Sequence, residues 1–241
     1  AQVRAARDQF VAGLPAGSWT DLQDTGTLPF VALSVDGEGI AAIRASGLVT
    51  TITQDEELLL PTAEVERSPS LGTSSIDSTA TMGAVPAWAA GWKGAGSTVA
   101  IVDTGVQTNH PFLMRGTTPK TIAEACFASP CSSGSTMSVT DAPRVGSGNP
   151  CTSAVSGCTH GTHVAGIAAG GTGSSVPSGV APDADLISIN VFSEYLSGTT
   201  KSIGASTSSI NAALDWLYYN RARFPGLTSV NMSLGGSTKY T

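Results

Sequence analysis

Apolar residues follow two rhythms along this chain. Over the first 53 positions they are sparse and amphipathic: Val3, Phe10, Val11 and Leu14 fall on one helical stripe, closed by Pro15 and Gly17. Two β-like runs follow, residues 19–23 and 28–35, then a helical stretch over 38–45 and a β-branched run over 48–53. This predicts helix, strand, strand, helix, strand. From residue 82 the rhythm changes. Residues 82–92 read as a helix and 97–102 as an apolar strand that ends on Asp103-Thr104-Gly105. A small-residue helix over 164–169, a buried-strand run over 186–192, a long helix over 208–224 and a strand from Thr228 complete the pattern. Ile210, Ala213, Leu214 and Leu217 share one face of the long helix, and nearby Trp216, Tyr218 and Tyr219 need no functional explanation. Strands apolar on both faces and interleaved with helices predict an α/β fold built on a parallel, doubly wound sheet.

Composition narrows the class. At 241 residues, 41% of them hydrophobic, with a mean hydropathy of +0.12, the chain can bury a substantial core. No run approaches the roughly 18 apolar residues of a membrane-spanning helix, so no membrane partner is expected. Residues 1–61 hold three basic side chains (Arg4, Arg7, Arg44) against eight acidic ones, a balance of −5 out of the chain's −6. That asymmetry argues against nucleic acid as a partner and suits an acidic cap that docks on another surface. Cys126, Cys131, Cys151 and Cys158 lie in one Ser-, Gly- and Pro-rich region, spaced five and seven apart within the first and second pairs. An even number so placed favours disulfides in an oxidising, extracellular compartment over zinc. Local pairs, 126 with 131 and 151 with 158, are preferred among three possible connectivities.

Chemistry concentrates at two segments. Val99-Ala-Ile-Val-Asp-Thr-Gly-Val106 delivers Asp103 at the carboxyl end of a strand, where ligands bind in open α/β sheets. His160-Gly-Thr-His-Val-Ala-Gly166 places His160 at a helix start, a rigid mounting for a general base. Asp-Thr-Gly alone also fits an aspartic protease, but such an enzyme needs a second copy in a mostly β chain. His160 and His163 could share a helix face as zinc ligands, yet no glutamate or third ligand accompanies them, and no metal is expected there. His163 is expected to be a packed structural residue, and His110 to lie outside the chemistry.

Together, and in this order, the two segments resemble the subtilisin-like serine proteases. Residues 228–234, followed by Gly235-Gly236, resemble the family's substrate-binding strand, and Gly179-Val-Ala-Pro182 matches a family turn. The resemblance implies a secreted endopeptidase acting on polypeptides, with Asp103 orienting His160 as the base. Ser233, Leu234 and Gly235 would bind an extended peptide through backbone groups. Gly72-Thr73-Ser74 echoes the family's nucleophile motif but precedes Asp103, and reads as a polar loop. The family's serine and oxyanion asparagine belong further along, so the expectation is a chain that stops partway through a catalytic domain and is inactive alone. Residues 28–33 and 48–55 resemble the inhibitory propeptide of the family, a small α+β ferredoxin-like unit lacking its first strand. The expected organisation is therefore a propeptide over 1–61 serving as an intramolecular partner, a linker over 62–80 with processing between Leu58 and Ser75, and the N-terminal part of a catalytic domain over 81–241. One departure is clear: a loop that in the family often reads His-Pro-Asp-Leu, its Asp a calcium ligand, is His110-Pro-Phe112-Leu here. Phe112 offers no hard oxygen, so that calcium site is not carried over and no cofactor is expected. The alternatives are a non-catalytic pseudoprotease or a propeptide-type protease inhibitor.

Overall fold

A computed structural model describes residues 2–23, 25–60, 79–132, 134–151, 155–171, 178–197 and 199–236. Most of the expected linker, including Gly72-Thr73-Ser74, lies outside them. The first helix, α1 (Gln2–Ala12), packs with α2 (Gly37–Ala45) beside an antiparallel pair, β1 (Trp19–Gln23) and β2 (Ala32–Val35). Phe10, Leu14 and Ile43 form a small core of their own with Trp19, Leu33 and Val35. Asp36 caps α2 by accepting from the Gly39 N–H at 2.8 Å, the expected satisfaction of an orphan helix donor.

Two expectations fail in this region. Residues 48–53 form no strand: Leu48, Val49 and Ile52 are exposed, and no neighbouring strand pairs with them among the described residues. A β-branched run is only a propensity, and without a partner edge its backbone gains no ladder. The second strand is also shorter than its run of apolar residues, because Leu28 donates back to Thr25 in a turn and Thr25 Oγ1 donates to Phe30 O. The ferredoxin-like expectation therefore has only a two-stranded sheet under it among the described residues.

The remainder centres on four parallel strands in the order β11 (Leu227–Asn231), β4 (Thr98–Asp103), β8 (Asp185–Asn190) and β7 (Thr121–Cys126). Ala100, Val102, Ile187 and Ile189 face α5 (Thr207–Asn220), whose Ile210, Ala213, Trp216 and Leu217 are buried against them. On the opposite face, Ile101 and Leu186 pack on Ala165 and Ala169 of α4 (His160–Ala169). Helices on both faces explain why these strands are apolar without alternation. The helix expected over 82–92 is only α3 (Ala84–Ala89), entered through Gly83 at φ 76°. A short antiparallel pair, β5 (Met114–Arg115) and β6 (Thr118–Pro119), follows the Asp103 loop.

A second sheet has the order β3 (Glu57–Leu58), β10 (Thr200–Ser206), β9 (Phe192–Ser197), all antiparallel. It joins the N-terminal region to the rest of the molecule. Further contacts come from Gln23, which donates to Ser209 Oγ at 3.2 Å, and from Thr27, whose N–H and hydroxyl both donate to the buried Asp215 carboxylate on α5.

Candidate active site

Strand β4 ends in the sheet's interior, and its last residue, Asp103, is fully buried. A buried carboxylate needs donors. Thr104 N–H supplies one at 2.7 Å, and His160 Nδ1 lies 2.8 Å from Oδ1 and 3.0 Å from Oδ2. An ionised carboxylate can only accept, so this pairing assigns a proton to Nδ1, and in the neutral ring Nε2 keeps the lone pair. The imidazole is 27% exposed while its partner is sealed, so the ring is anchored from beneath and open above.

Close backbone approach makes this contact possible. Thr104 Oγ1 accepts from the Gly161 N–H at 2.9 Å and donates to Cys158 O at 3.2 Å, clasping the start of α4 to the end of β4. A Cβ on Gly161 would lie 2.4 Å from Gly105 O and 3.1 Å from the Asp103 carboxylate. Gly105 itself has φ 89°, and a Cβ there would meet Asn149 O at 2.3 Å. The structure pairs Cys151 with Cys158, immediately before His160, and Cys126 with Cys131, as preferred from spacing.

His163 is exposed rather than packed, since it lies on the side of α4 turned away from the sheet. No three His, Cys, Asp or Glu side chains cluster as metal ligands among the described residues. His110 Nδ1 accepts from Phe112 N–H at 3.2 Å and caps a short turn over Pro111–Leu113.

Ser233, Leu234 and Gly235 follow β11 but leave its ladder at Asn231. Ser233 Oγ accepts from Asn231 Nδ2 at 2.9 Å, and Leu234 packs against the main core. Gly235 pairs antiparallel with Leu59, donating to its carbonyl at 3.1 Å and accepting from its N–H at 3.0 Å. Residues 57–60 thus run between β10 on one side and Gly235 on the other. Leu58 and Leu60 pack on the core while Leu59 points outward, 49% exposed. Leu60 reaches to where a Cβ on Gly157 would stand, 2.8 Å away, three residues before His160. Ahead of this strand, Asp55 accepts from Ser208 N–H at 3.0 Å and Ser208 Oγ at 2.5 Å at the start of α5, and Glu56 O accepts from Thr207 N–H at 2.9 Å. Sequence reading missed this strap. Its signal was present in Asp55-Glu-Glu-Leu-Leu-Leu60, an acidic head followed by three consecutive leucines. Beside it, burial raises the Tyr195 phenol's pKa above its usual value, reinforced by the charges of Glu57 and Asp55 and opposed by a hydrogen bond with Ser193.

A buried carboxylate thus holds a histidine at a helix start on a parallel α/β sheet. The chain belongs to the subtilase family, Peptidase S8, whose profile matches residues 94–240. It is 35% identical to the minor extracellular protease Vpr of Bacillus subtilis (strain 168), over 67% of this chain and 16% of that protein. Identity is 34% to subtilisin DY of Bacillus licheniformis, over 64% and 42%. It is 28% to the alkaline protease of Alkalihalobacillus alcalophilus, over 89% and 43%. The chain thus spans less than half the length of these curated relatives. Among solved structures, the MycP3 protease of the type VII (ESX-3) secretion system matches at 23% identity, covering 74% of this chain and 40% of that one with a TM-score of 0.38.

Proposed function

We propose that these residues belong to a secreted serine endopeptidase in which His160 is the general base and Asp103 its orienter. His160 Nε2 takes the hydroxyl proton of a serine as it attacks the peptide carbonyl, and returns it to the leaving amine; Asp103 holds the tautomer and stabilises the transient imidazolium. The observation that carries this reading is the bond from His160 Nδ1 to both oxygens of a fully buried Asp103. The extracellular protease named among the relatives and the two disulfides support secretion.

Residues 1–61 act in this reading as the inhibitory propeptide, 62–80 as the processed linker and 81–241 as the N-terminal part of the catalytic domain. Support comes from the strap: residues 57–60 take the place of an extended polypeptide substrate, with backbone pairing on both sides and alternate side chains buried, the mode called β-augmentation. The alignment to the alkaline protease, which covers 89% of this chain, also extends into the first 61 residues. Gly235 pairs with this strap directly, and in this reading Ser233, Leu234 and Gly235 would bind the substrate in its place. In this reading the nucleophile is a serine that none of the 241 residues supplies.

The test is a serine-directed fluorophosphonate probe with a chromogenic peptide. The 241-residue chain is expected to take no label and cleave nothing, whereas the reading frame continued past Thr241 labels and turns over. In that longer protein His160→Ala lowers kcat on the order of 10⁶-fold and Asp103→Asn on the order of 10⁴-fold. A labelled serine within the 241 residues, or full turnover by His160→Ala, overturns the reading.

A further inference from the structure

Lys120 has no part in the chemistry above, yet its side chain is among the largest fully buried ones, 1% exposed. A buried ammonium must be compensated by oxygen acceptors. Here Nζ donates to Ala169 O at 2.7 Å and to Pro182 O at 2.6 Å. These two carbonyls belong to different segments: the last residue of α4, and the turn before β8.

The end of α4 shows why a cation sits there. The last carbonyls of a helix lack intrahelical donors. Gly166 O accepts from Gly170 N–H at 2.9 Å, Ile167 O from Val180 N–H at 2.9 Å, and Ala168 O from Ala181 N–H at 2.8 Å. Gly170 O accepts from Gly179 N–H at 3.1 Å. Ala169 O receives its bond from Lys120. An ammonium at the negative end of a helix dipole is also favourably placed. The Lys120 backbone adds two further ties, its N–H donating to Leu113 O and its carbonyl accepting from Leu186 N–H, both at 2.9 Å. Phe112 occupies the same corner: its carbonyl accepts from Gly171 N–H at 2.7 Å, and its ring lies where a Cβ on Gly170 would stand. The corner borders an open cavity of about 620 Å³ also lined by His110, Arg115 and Asp183. Burial, helped by Arg115 and opposed by Asp183, pulls the Lys120 pKa below the ordinary lysine value.

A divalent calcium ion takes six to eight oxygen ligands, several of them carboxylate. The side chain at position 112 is apolar, and the ammonium already holds two of the carbonyls, so the described residues of this corner do not fit calcium. We propose that Lys120 is a positioning residue whose ammonium acts as a built-in cation, clamping the C-terminal end of the His160 helix to the Pro182 turn without a divalent ion. The helix is one rigid rod of 10 residues, so fixing its far end fixes the start that carries His160. Only this last link rests on the function proposed above; the clamp itself is a statement about stability and holds even for a non-catalytic protein.

The test uses the 241-residue chain, with calcium chloride as the probe. The melting temperature is expected to be the same in millimolar calcium and in excess chelator, to fall by several degrees in Lys120→Met, and to recover in part in Lys120→Arg, which restores charged donors. The His160 ring Nδ1 resonance should shift in Lys120→Met and return toward its parent position in Lys120→Arg. Stabilisation of the parent by calcium, or a Lys120→Met melting temperature at or above the parent's, overturns the proposal. A His160 resonance that does not move in a folded Lys120→Met removes the positioning role. If Lys120→Met does not fold, nitrogen-15 spectra of the parent's lysine side chains decide: a protonated, slowly exchanging ammonium at neutral pH supports the clamp, and a neutral amine overturns it.

Discussion

Gly161→Ala sets helix propensity against packing, with opposite signs. Alanine is favoured over glycine in a helix by up to about 1 kcal/mol, so propensity alone predicts a more stable protein. The structure predicts the reverse. The new Cβ would stand 2.4 Å from Gly105 O and 3.1 Å from both Cβ and Oδ1 of Asp103. The nearest obstacle is backbone, held in turn by Gly105 at φ 89° against Asn149, so it has no room to yield. Overpacking of this kind costs about 1–3 kcal/mol. If the helix start retreats instead, the bond from Gly161 N–H to Thr104 Oγ1 is lost at a buried site, for about 1–3 kcal/mol. Set against the propensity gain, the net expectation is a loss of about 1–2 kcal/mol, or roughly 2–8 °C in melting temperature for a chain of this size. The His160 to Asp103 bond should lengthen with it, read as a shift of the ring Nδ1 resonance. Thermal unfolding followed by circular dichroism provides the first measurement. A melting temperature equal to or above the parent's would refute the claim that close backbone approach at Gly161 builds the dyad.

Two further outcomes follow from the same geometry. Replacing Cys151 and Cys158 together by serine opens the loop in front of His160 and should lower stability by about 2–3 kcal/mol, seen as a lower denaturant midpoint at similar slope; an unchanged midpoint counts against the brace. Tyr195 has a folded pKa raised above its ordinary value, so the stability it contributes is fully present below that ordinary value and is lost as pH rises through the folded one. Ionisation there also repels Glu57 and Asp55 of the strap. As pH rises above the ordinary tyrosine value of about 10, the parent's unfolding midpoint should therefore fall more steeply than that of Tyr195→Phe, and parallel curves would remove Tyr195 from the account.

How much was legible beforehand varied with the range of the interaction. The strand ending at Asp103, the helix beginning at His160 and the local disulfide pairs are set by short-range pattern, and reading and structure agree on them; the run over 186–192 instead divides between a strand ending at Asn190 and another starting at Phe192, and the helix expected over 208–224 ends at Asn220. Residues 48–53 misled because strand propensity carries no information about whether a partner edge exists. His163 misled because one helix turn of sequence does not reveal which side meets the sheet. Lys120 gave no signal: a lone lysine in a polar stretch reads as solvated, and only the folded chain brings Ala169 and Pro182 to it.

The chain's residues by themselves determined the family and the class of fold, and singled out Asp103 and His160 as the pair that the fold would bring together. Periodicity and motif order survive without coordinates, because they reflect local backbone geometry. Tertiary structure alone decided that residues 57–60 lie between β10 and Gly235, that Thr104 clasps Gly161, and that an ammonium caps the far end of the same helix. Each joins segments distant in sequence, and at Thr104 and Lys120 burial makes the polar partner obligatory. Those partners are found only where the fold brings the segments together.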